Sequence, residues 1–234
     1  VTTVWARDVL AEEAAWDRVR GEVALGHRAY VVCPLVESAE SEHRRLSSEV
    51  LPELRLGLLH GQMSTSEKEA VMGAFRRGDV QVLVATTVIE VGVDVSEATV
   101  MVVENAERFG LAQLHQLRGR VGRSSLPSWC YLLSESVTED AVERLAALER
   151  TTDGFELADV DLRLRGEGEI LGARQSGGGS LRLASLHRDR ELVEPAREVA
   201  DAITAADPEL GEHPLLADKL RLFLDDEEAG ILLK

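Results

Sequence analysis

Short, uninterrupted apolar runs alternate with segments of helical periodicity over the first 134 residues. The runs occupy residues 29–33, 56–59, 80–85, 100–103 and 129–133. Continuous apolar character, rather than alternation, is typical of parallel strands that helices cover on both faces. Helical spacing is found between the runs, at residues 8–20, 38–51, 65–77 and 111–121. The alternation predicts an α/β fold built on an open, mostly parallel sheet.

Polar residues follow two of these predicted strands. His60 and Gly61 come after one run and Thr86 and Thr87 after another, and the second loop continues with Glu90, Gly92 and Asp94. Ligands of such sheets bind beyond the carboxyl ends of the strands. Hydroxyls, carboxylates and a glycine suit contacts with sugar, phosphate and backbone. We interpret His60 as a capping or packing residue without a catalytic role.

The segment 116–123 places basic charge and glycine in an acidic chain. The net charge is −16, whereas residues 105–133 sum to +3. On a continuous helix through this segment, three side chains would share one face: Gln116, Arg120 and Arg123. Guanidinium groups fork onto phosphate oxygens, which favours phosphate chemistry. A solvated basic helix is the alternative that the spacing alone leaves open.

Composition limits the class of protein. A chain of 234 residues with 44% hydrophobic content can bury a sizeable core. No apolar run has the length of a membrane span and no secretory signal begins the chain, so we expect a cytoplasmic protein without a membrane partner. Cys33 and Cys130 lack partners at metal-ligand spacing and are expected to be buried thiols, with no metal site. The acidic charge argues against tight DNA binding by the chain alone.

Three strings resemble motifs IV to VI of the superfamily 2 helicases. They are residues 60–63, 85–95 and 113–123, and together with residues 33–38 their sequences are similar to those of the RecG family. This resemblance implies a RecA-like parallel sheet flanked by helices, in an ATP-dependent translocase of double-stranded DNA that remodels stalled replication forks and Holliday junctions in repair and recombination. Two alternatives remain: the corresponding part of the transcription-repair coupling factor, and a non-catalytic interaction module with a degenerate motor fold.

The resemblance also implies roles for single residues. Arg120 and Arg123 would contact the γ-phosphate of ATP as catalytic residues. Residues assigned to nucleotide binding are Gln116, Gly92 and Asp94. Residues assigned to DNA contact, or to coupling it to the nucleotide, are Thr86, Thr87 and Glu90.

Two parts of a complete motor are absent from the sequence. The chain has three lysines, Lys68, Lys219 and Lys234, and none lies in a GxxxxGK[ST] loop; no DExH box is present either. We therefore expect ATP and Mg²⁺ to be held mainly by a first motor domain outside this chain, and the isolated chain to be inactive as an ATPase. The expected partners are branched double-stranded DNA and the first motor domain and N-terminal wedge domain of the same protein, acting as a monomer.

Beyond residue 134 the pattern predicts a helical hairpin with its turn at residues 151–154, followed by a glycine-rich segment. By composition that segment could be a flexible linker, but it resembles the translocation motif of the same family. There Arg163, Arg165 and Gln175 would grip DNA or transmit motion to it, although Glu167 stands where many relatives have proline. The predicted domains are 1–134, 135–185 and 186–234, the last with helices near 187–206 and 215–224, so the predicted fold is a RecA-like sheet followed by a hairpin and C-terminal helices.

Overall fold

The computed structural model describes residues 1–87, 95–134, 138–165 and 192–223. Within these residues six parallel strands form one sheet, in the order β1-β6-β5-β2-β4-β3. The strands are β1 (Thr2–Ala6), β2 (Arg28–Val32), β3 (Leu56–Leu59), β4 (Val82–Ala85), β5 (Ala98–Val103) and β6 (Trp129–Leu133). The predicted parallel α/β sheet is confirmed.

Eight α-helices lie within the described residues. They are α1 (Val9–Ala24), α2 (Val36–Arg45), α3 (Thr65–Arg77), α4 (Leu111–Arg118), α5 (Glu139–Arg150), α6 (Gly154–Arg165), α7 (Val193–Ala206) and α8 (Pro214–Phe223). A π-helical turn, Leu46–Val50, extends α2, and a 3-10 turn, Ala106–Arg108, precedes α4. Among the described residues no helix combines the length and the apolar character needed to span a membrane.

The first strand was not predicted from the sequence. β1 lies at the edge of the sheet, paired only with β6, and Trp5 and Ala6 are its buried residues. The central strands β4 and β5 are buried along their whole length. β1 begins with two threonines and buries only its last two residues, so it carries no continuous apolar run, which explains why the pattern missed it.

Helix α3 shows how local chemistry sets the boundaries of an element. The Ser64 hydroxyl accepts the backbone N–H of Glu67, whose carboxylate accepts the backbone N–H of Ser64 in return. Gly78 ends the helix in the left-handed region, with φ of +84°. The helix predicted at 65–77 is confirmed to the residue.

Helix α4 is shorter than the sequence predicted. It ends at Arg118 instead of continuing to residue 121, because the chain tightens at Gly119 and the Arg120 N–H donates to the carbonyl of Leu117. Gly122 then has φ of +76°, a conformation that glycine adopts readily and a helix cannot contain. The expectation that Gln116, Arg120 and Arg123 share one continuous helical face is therefore wrong, since both arginines lie in the turn after the helix.

The chain divides into two compact units, residues 1–161 and 162–234. In the first unit, α5 packs along β1 at the edge of the sheet, with Leu145 and Leu148 completely buried. In the second, α7 and α8 flank a loop in which the Asp207 carboxylate accepts the backbone N–H groups of residues 211 and 212. The helices predicted on both sides of the hairpin turn are confirmed, whereas the predicted domain boundaries stay predictions.

Candidate functional site

The carboxyl edge of the sheet carries one group of predicted site residues. Thr86 directly follows β4, and its N–H donates to the carbonyl of Leu59 at the end of the neighbouring strand. Thr86 is 6% exposed, and Thr87 beside it is half-buried. His60 follows β3 and is buried, with Nε2 at 3.7 Å from Oε1 of Glu40. A ligand at this edge would meet Thr87 more readily than Thr86.

Several predicted site residues lie outside the described part of the chain. They are Glu90, Gly92, Asp94 and Gln175, and the side chain of Arg165 belongs with them. Arg163 is described and exposed near the end of α6. The structure therefore adds geometry to the segment 116–123 and to the threonines, and leaves the remaining assignments as predictions.

The end of α4 and the turn after it bring three predicted nucleotide-site residues into one segment. Gln116 is exposed on the helix, Arg120 is half-buried and Arg123 is exposed in the turn. The Nε group of Arg123 donates to the carbonyl of Gly119 at 2.9 Å, which orients its guanidinium against the turn. Two guanidinium groups held close to the surface of one turn suit recognition of phosphate oxygens.

Arg118, within the same segment, is buried and forms hydrogen bonds with the protein interior. It is 4% exposed, and its Nη1 donates to the carbonyl of Leu148 at 2.9 Å and to that of Thr151 at 2.8 Å. Its Nη2 lies 2.8 Å from Nδ1 of His115. Burial, and then the neighbouring guanidinium, lower the pKa of His115, so its neutral ring can accept this hydrogen bond. Arg118 thus binds the end of α5 and the hairpin turn.

Sequence reasoning missed this role, although a signal was present. Arg118 follows Leu111 by seven positions and Leu114 by four, and both leucines are buried. Residues at these spacings share one helical face, so Arg118 belongs to the buried face of α4 and not to the outward one. Three arginines lie within six residues here, and the prediction assigned roles to Arg120 and Arg123 but none to Arg118.

Two further contacts bind α5 to other parts of the same unit, one to the sheet and one to the turn before α4. Oε1 of Glu149 accepts the backbone N–H of Trp5 on the edge strand at 2.9 Å. Nη2 of Arg144 donates to the carbonyl of Glu107, in the turn before α4, at 2.9 Å. Neither contact was predicted, because each joins residues far apart in the sequence and depends on the docking of α5.

A cluster of carboxylates lies where β2 and β5 end. Glu104 follows β5, and burial, together with the nearby carboxylate of Glu42, raises its pKa to about 8. Arg45 holds Glu42 at 2.8 Å and lies 4.0 Å from Glu104. Cys33 is buried beside them, and burial raises the pKa of its thiol, as it does for the buried Cys130. Both cysteines are buried free thiols, as predicted.

The described residues can be tested for fit to the cofactors that the resemblance implies. Gln116, Arg120 and Arg123 are hydrogen-bonding and cationic groups of the kind that binds the phosphates of ATP. Within residues 1–87, 95–134, 138–165 and 192–223, however, no three His, Cys, Asp or Glu side chains are placed to hold a metal ion. No step through Mg²⁺ can therefore be derived from this part of the molecule.

Comparison with known proteins identifies the family. Residues 10–125 match the model of the helicase conserved C-terminal domain, and residues 151–222 match the C-terminal part of domain 3 of the ATP-dependent DNA helicase RecG. The chain belongs to the RecG family. It is 49% identical to the ATP-dependent DNA helicase RecG of Synechocystis over 88% of this chain and 26% of that protein. It is 48% identical to the ATP-dependent DNA helicase RecG of Thermotoga maritima over 84% of this chain and 26% of that protein.

The solved structures agree with this assignment. A RecG bound to a three-way DNA junction superposes with a TM-score of 0.64 at 46% identity, covering 83% of this chain and 26% of that one. A Dbp5 variant from S. cerevisiae, at 17% identity and a TM-score of 0.51, covers 64% of this chain and 39% of its own and shares the fold. The RecA-like helicase fold is confirmed. The chain spans about a quarter of the length of the first two RecG proteins above.

Proposed function

We propose that this chain forms the second motor domain and translocation hairpin of an ATP-dependent translocase of double-stranded DNA, which remodels stalled replication forks and Holliday junctions. The observation that supports it is that the side chains of residues 116–123 face two different sides of α4 and its turn. Gln116, Arg120 and Arg123 lie at or near the surface of α4 and its turn, whereas Arg118 is turned inward to the hairpin. One short segment thus meets a phosphate ligand on one side and the hairpin on the other.

In this proposal Arg120 and Arg123 contact the γ-phosphate of an ATP held, with its Mg²⁺, mainly by a first motor domain. Permanently charged, forked guanidinium groups stabilise the negative charge that spreads over a transferring phosphoryl group. Gln116, Gly92 and Asp94 line the same nucleotide cleft. The isolated chain then hydrolyses no ATP, since the phosphate cradle and the metal site belong to the other domain.

DNA contact is assigned to two other regions. Thr86, Thr87 and Glu90 follow β4 and couple the nucleotide to the DNA backbone, and Thr87 is the more accessible of the two threonines. Arg163, Arg165 and Gln175 act at and beyond the end of the hairpin. The related protein of known structure was bound to a three-way DNA junction, and we propose branched DNA as the substrate here, acted on by a cytoplasmic monomer whose wedge domain recognises the branch.

The test joins the chain to the native N-terminal region of its protein and measures ATP hydrolysis and unwinding of a model fork. Arg120→Ala and Arg123→Ala should each lower DNA-stimulated ATP hydrolysis by about a hundredfold or more, with fork binding retained. Arg76→Ala is the matched control, because Arg76 is an exposed arginine on α3. It should leave hydrolysis unchanged.

Three results would contradict the proposal. Appreciable DNA-stimulated ATPase activity of the isolated chain would show that the nucleotide site is complete within it. Displacement of RNA polymerase in place of fork unwinding would indicate the transcription-repair coupling factor. Absence of any motor activity from the joined protein would favour a non-catalytic module.

A further inference from the structure

Arg118 donates hydrogen bonds to two carbonyl groups at the end of the first helix of the hairpin. The carbonyl of Leu148 lies in the last turn of α5 and that of Thr151 directly after it. Carbonyls at a helix C-terminus have no partner within their own helix, and a cation placed there is favoured by both hydrogen bonding and the helix dipole. The guanidinium of Arg118 therefore caps α5 from another element.

Arg118 is close in the chain to the residues of the proposed nucleotide site. It lies two residues after Gln116 and two before Arg120, the residues that the proposed function places at the nucleotide. Since α4 is a hydrogen-bonded helix up to residue 118, Gln116 and Arg118 cannot move independently by more than small side-chain shifts. A displacement of this helix on nucleotide binding would therefore also displace the donor groups of Arg118.

The hairpin turn also packs against the same helix. A Cβ added at Gly154, the first residue of α6, would lie 3.3 Å from Nε2 of His115, so backbone and ring are in close approach. His115 in turn contacts Arg118. Together these residues form one packed unit, which we call the hairpin joint and define as His115, Arg118, Leu148, Thr151 and Gly154.

Helix α5 is additionally fastened by Glu149 to the edge strand and by Arg144 to the turn before α4. It is thus held to the motor domain near its C-terminus and at a point about one turn earlier. In α6, Leu157 and Val160 are buried while most neighbouring residues of its first turns are exposed. Within the first compact unit, α5 is therefore bound both to the edge strand and to the turn before α4.

We propose that Arg118 is a positioning residue that couples the nucleotide site to the hairpin, and that the hairpin joint moves as one body with the segment carrying Arg120 and Arg123. This proposal rests on the proposed function and gives Arg118 a role separate from nucleotide contact. Its loss should uncouple DNA movement from ATP turnover and leave ATP turnover itself largely intact.

The test uses the full-length protein with Arg118→Lys and Arg118→Met. Lysine keeps the charge but cannot donate to two carbonyls and His115 in the fixed planar geometry of arginine, and methionine removes the charge. We expect fork-stimulated ATP hydrolysis within about threefold of the parent, while base pairs unwound per ATP fall by about tenfold or more. Arg150→Ala is the matched control, since its ion pair with Glu156 lies on the hairpin surface with both side chains about half exposed.

A second measurement separates coupling from simple loss of structure. In the parent, a non-hydrolysable ATP analogue should change amide hydrogen exchange at residues 148–154; in Arg118→Lys that change should vanish at saturating analogue. Parallel loss of hydrolysis and unwinding, or unchanged unwinding per ATP, would overturn the role of Arg118 alone. If Arg118→Met does not fold, the lysine variant decides. A parent without fork-stimulated hydrolysis would overturn the proposed function as well.

Discussion

The backbone N–H of Trp5 donates to Oε1 of Glu149 at 2.9 Å. This contact joins the edge strand of the sheet to the first helix of the hairpin, across 144 positions in the sequence. It satisfies a donor that an edge strand would otherwise leave unpaired, and Nη2 of Arg7 approaches the other carboxylate oxygen at 3.5 Å. A single carboxylate therefore both protects the sheet edge and docks α5.

Glu149→Ala should destabilise the chain by about 1–2 kcal/mol, because it removes the acceptor of a partly buried backbone N–H. Glu149→Gln keeps an acceptor oxygen and should cost less than half as much. The midpoint of thermal unfolding measures both. Equal effects of the two substitutions would show that the negative charge, rather than the hydrogen bond to Trp5, holds α5 in place.

Gly122→Ala should disrupt the turn that presents Arg120 and Arg123. Gly122 has φ of +76°, and a Cβ there would overlap Cγ2 of Val1. The left-handed conformation alone costs alanine about 1–2 kcal/mol, and the contact adds to it. In the full-length protein we expect a lower unfolding midpoint and a fall in ATP hydrolysis of at least about tenfold.

The control for this substitution is Gly21→Ala. Gly21 lies inside α1, and a Cβ added there meets nothing within 4 Å. Alanine should stabilise the helix by about 0.5–1 kcal/mol and leave hydrolysis unchanged. A loss of hydrolysis from Gly21→Ala equal to that from Gly122→Ala would remove the special role of the turn.

Glu104→Gln should flatten the pH dependence of stability. Burial and Glu42 raise the pKa of Glu104 to about 8 from an ordinary value of 4.5. The unfolded chain therefore releases this proton at lower pH than the folded one, so the stability associated with protonated Glu104 is lost as pH rises between these two values. Glutamine imitates the protonated form at every pH.

We thus expect the free energy of unfolding of Glu104→Gln to match that of the parent at about pH 4 and to exceed it by about 1–3 kcal/mol at about pH 9. Thermal unfolding across this range measures the difference. Glu69→Gln, at an exposed position of α3, provides the control and should shift neither curve. Parallel curves for Glu104→Gln and its parent would mean that Glu104 is ionised in the folded protein.

Arg165→Ala should uncouple ATP hydrolysis from fork unwinding in the full-length protein. Arg165 ends α6, where the proposed function places contact with DNA or transmission of motion. Hydrolysis should remain within about threefold while unwinding falls by about tenfold or more. Arg150→Ala again provides a hairpin control. Unchanged unwinding by Arg165→Ala would refute this role.

The sequence predicted the central sheet well for a specific reason. Strands such as β5 are buried along their whole length and so appear as uninterrupted apolar runs. The same rule missed β1, since this strand begins with two threonines and buries only its last two residues. Helix α3 was predicted to the residue because Ser64, Glu67 and Gly78 mark its ends by local chemistry.

The candidate site was predictable in part. The residue types of motif VI indicated the family and predicted phosphate chemistry, but helical spacing extended α4 past Gly119, where the backbone leaves the helix. No role was predicted for Arg118 from the sequence. Its acceptors, the carbonyls of Leu148 and Thr151, are 30 and 33 positions away, and no local pattern reports a contact of that kind.

The sequence by itself determined the parallel sheet, the helix boundaries that depend on capping residues, and the arginine-rich segment that is proposed to bind phosphate, because each is indicated by a pattern among neighbouring residues. Only the tertiary structure decided that Arg118 faces the hairpin, that Glu149 closes the edge of the sheet, and that Glu104 lies buried beside Glu42. Those outcomes depend on how α5 docks and where strands end, and burial and pairing across long sequence separations exist only once the chain has packed.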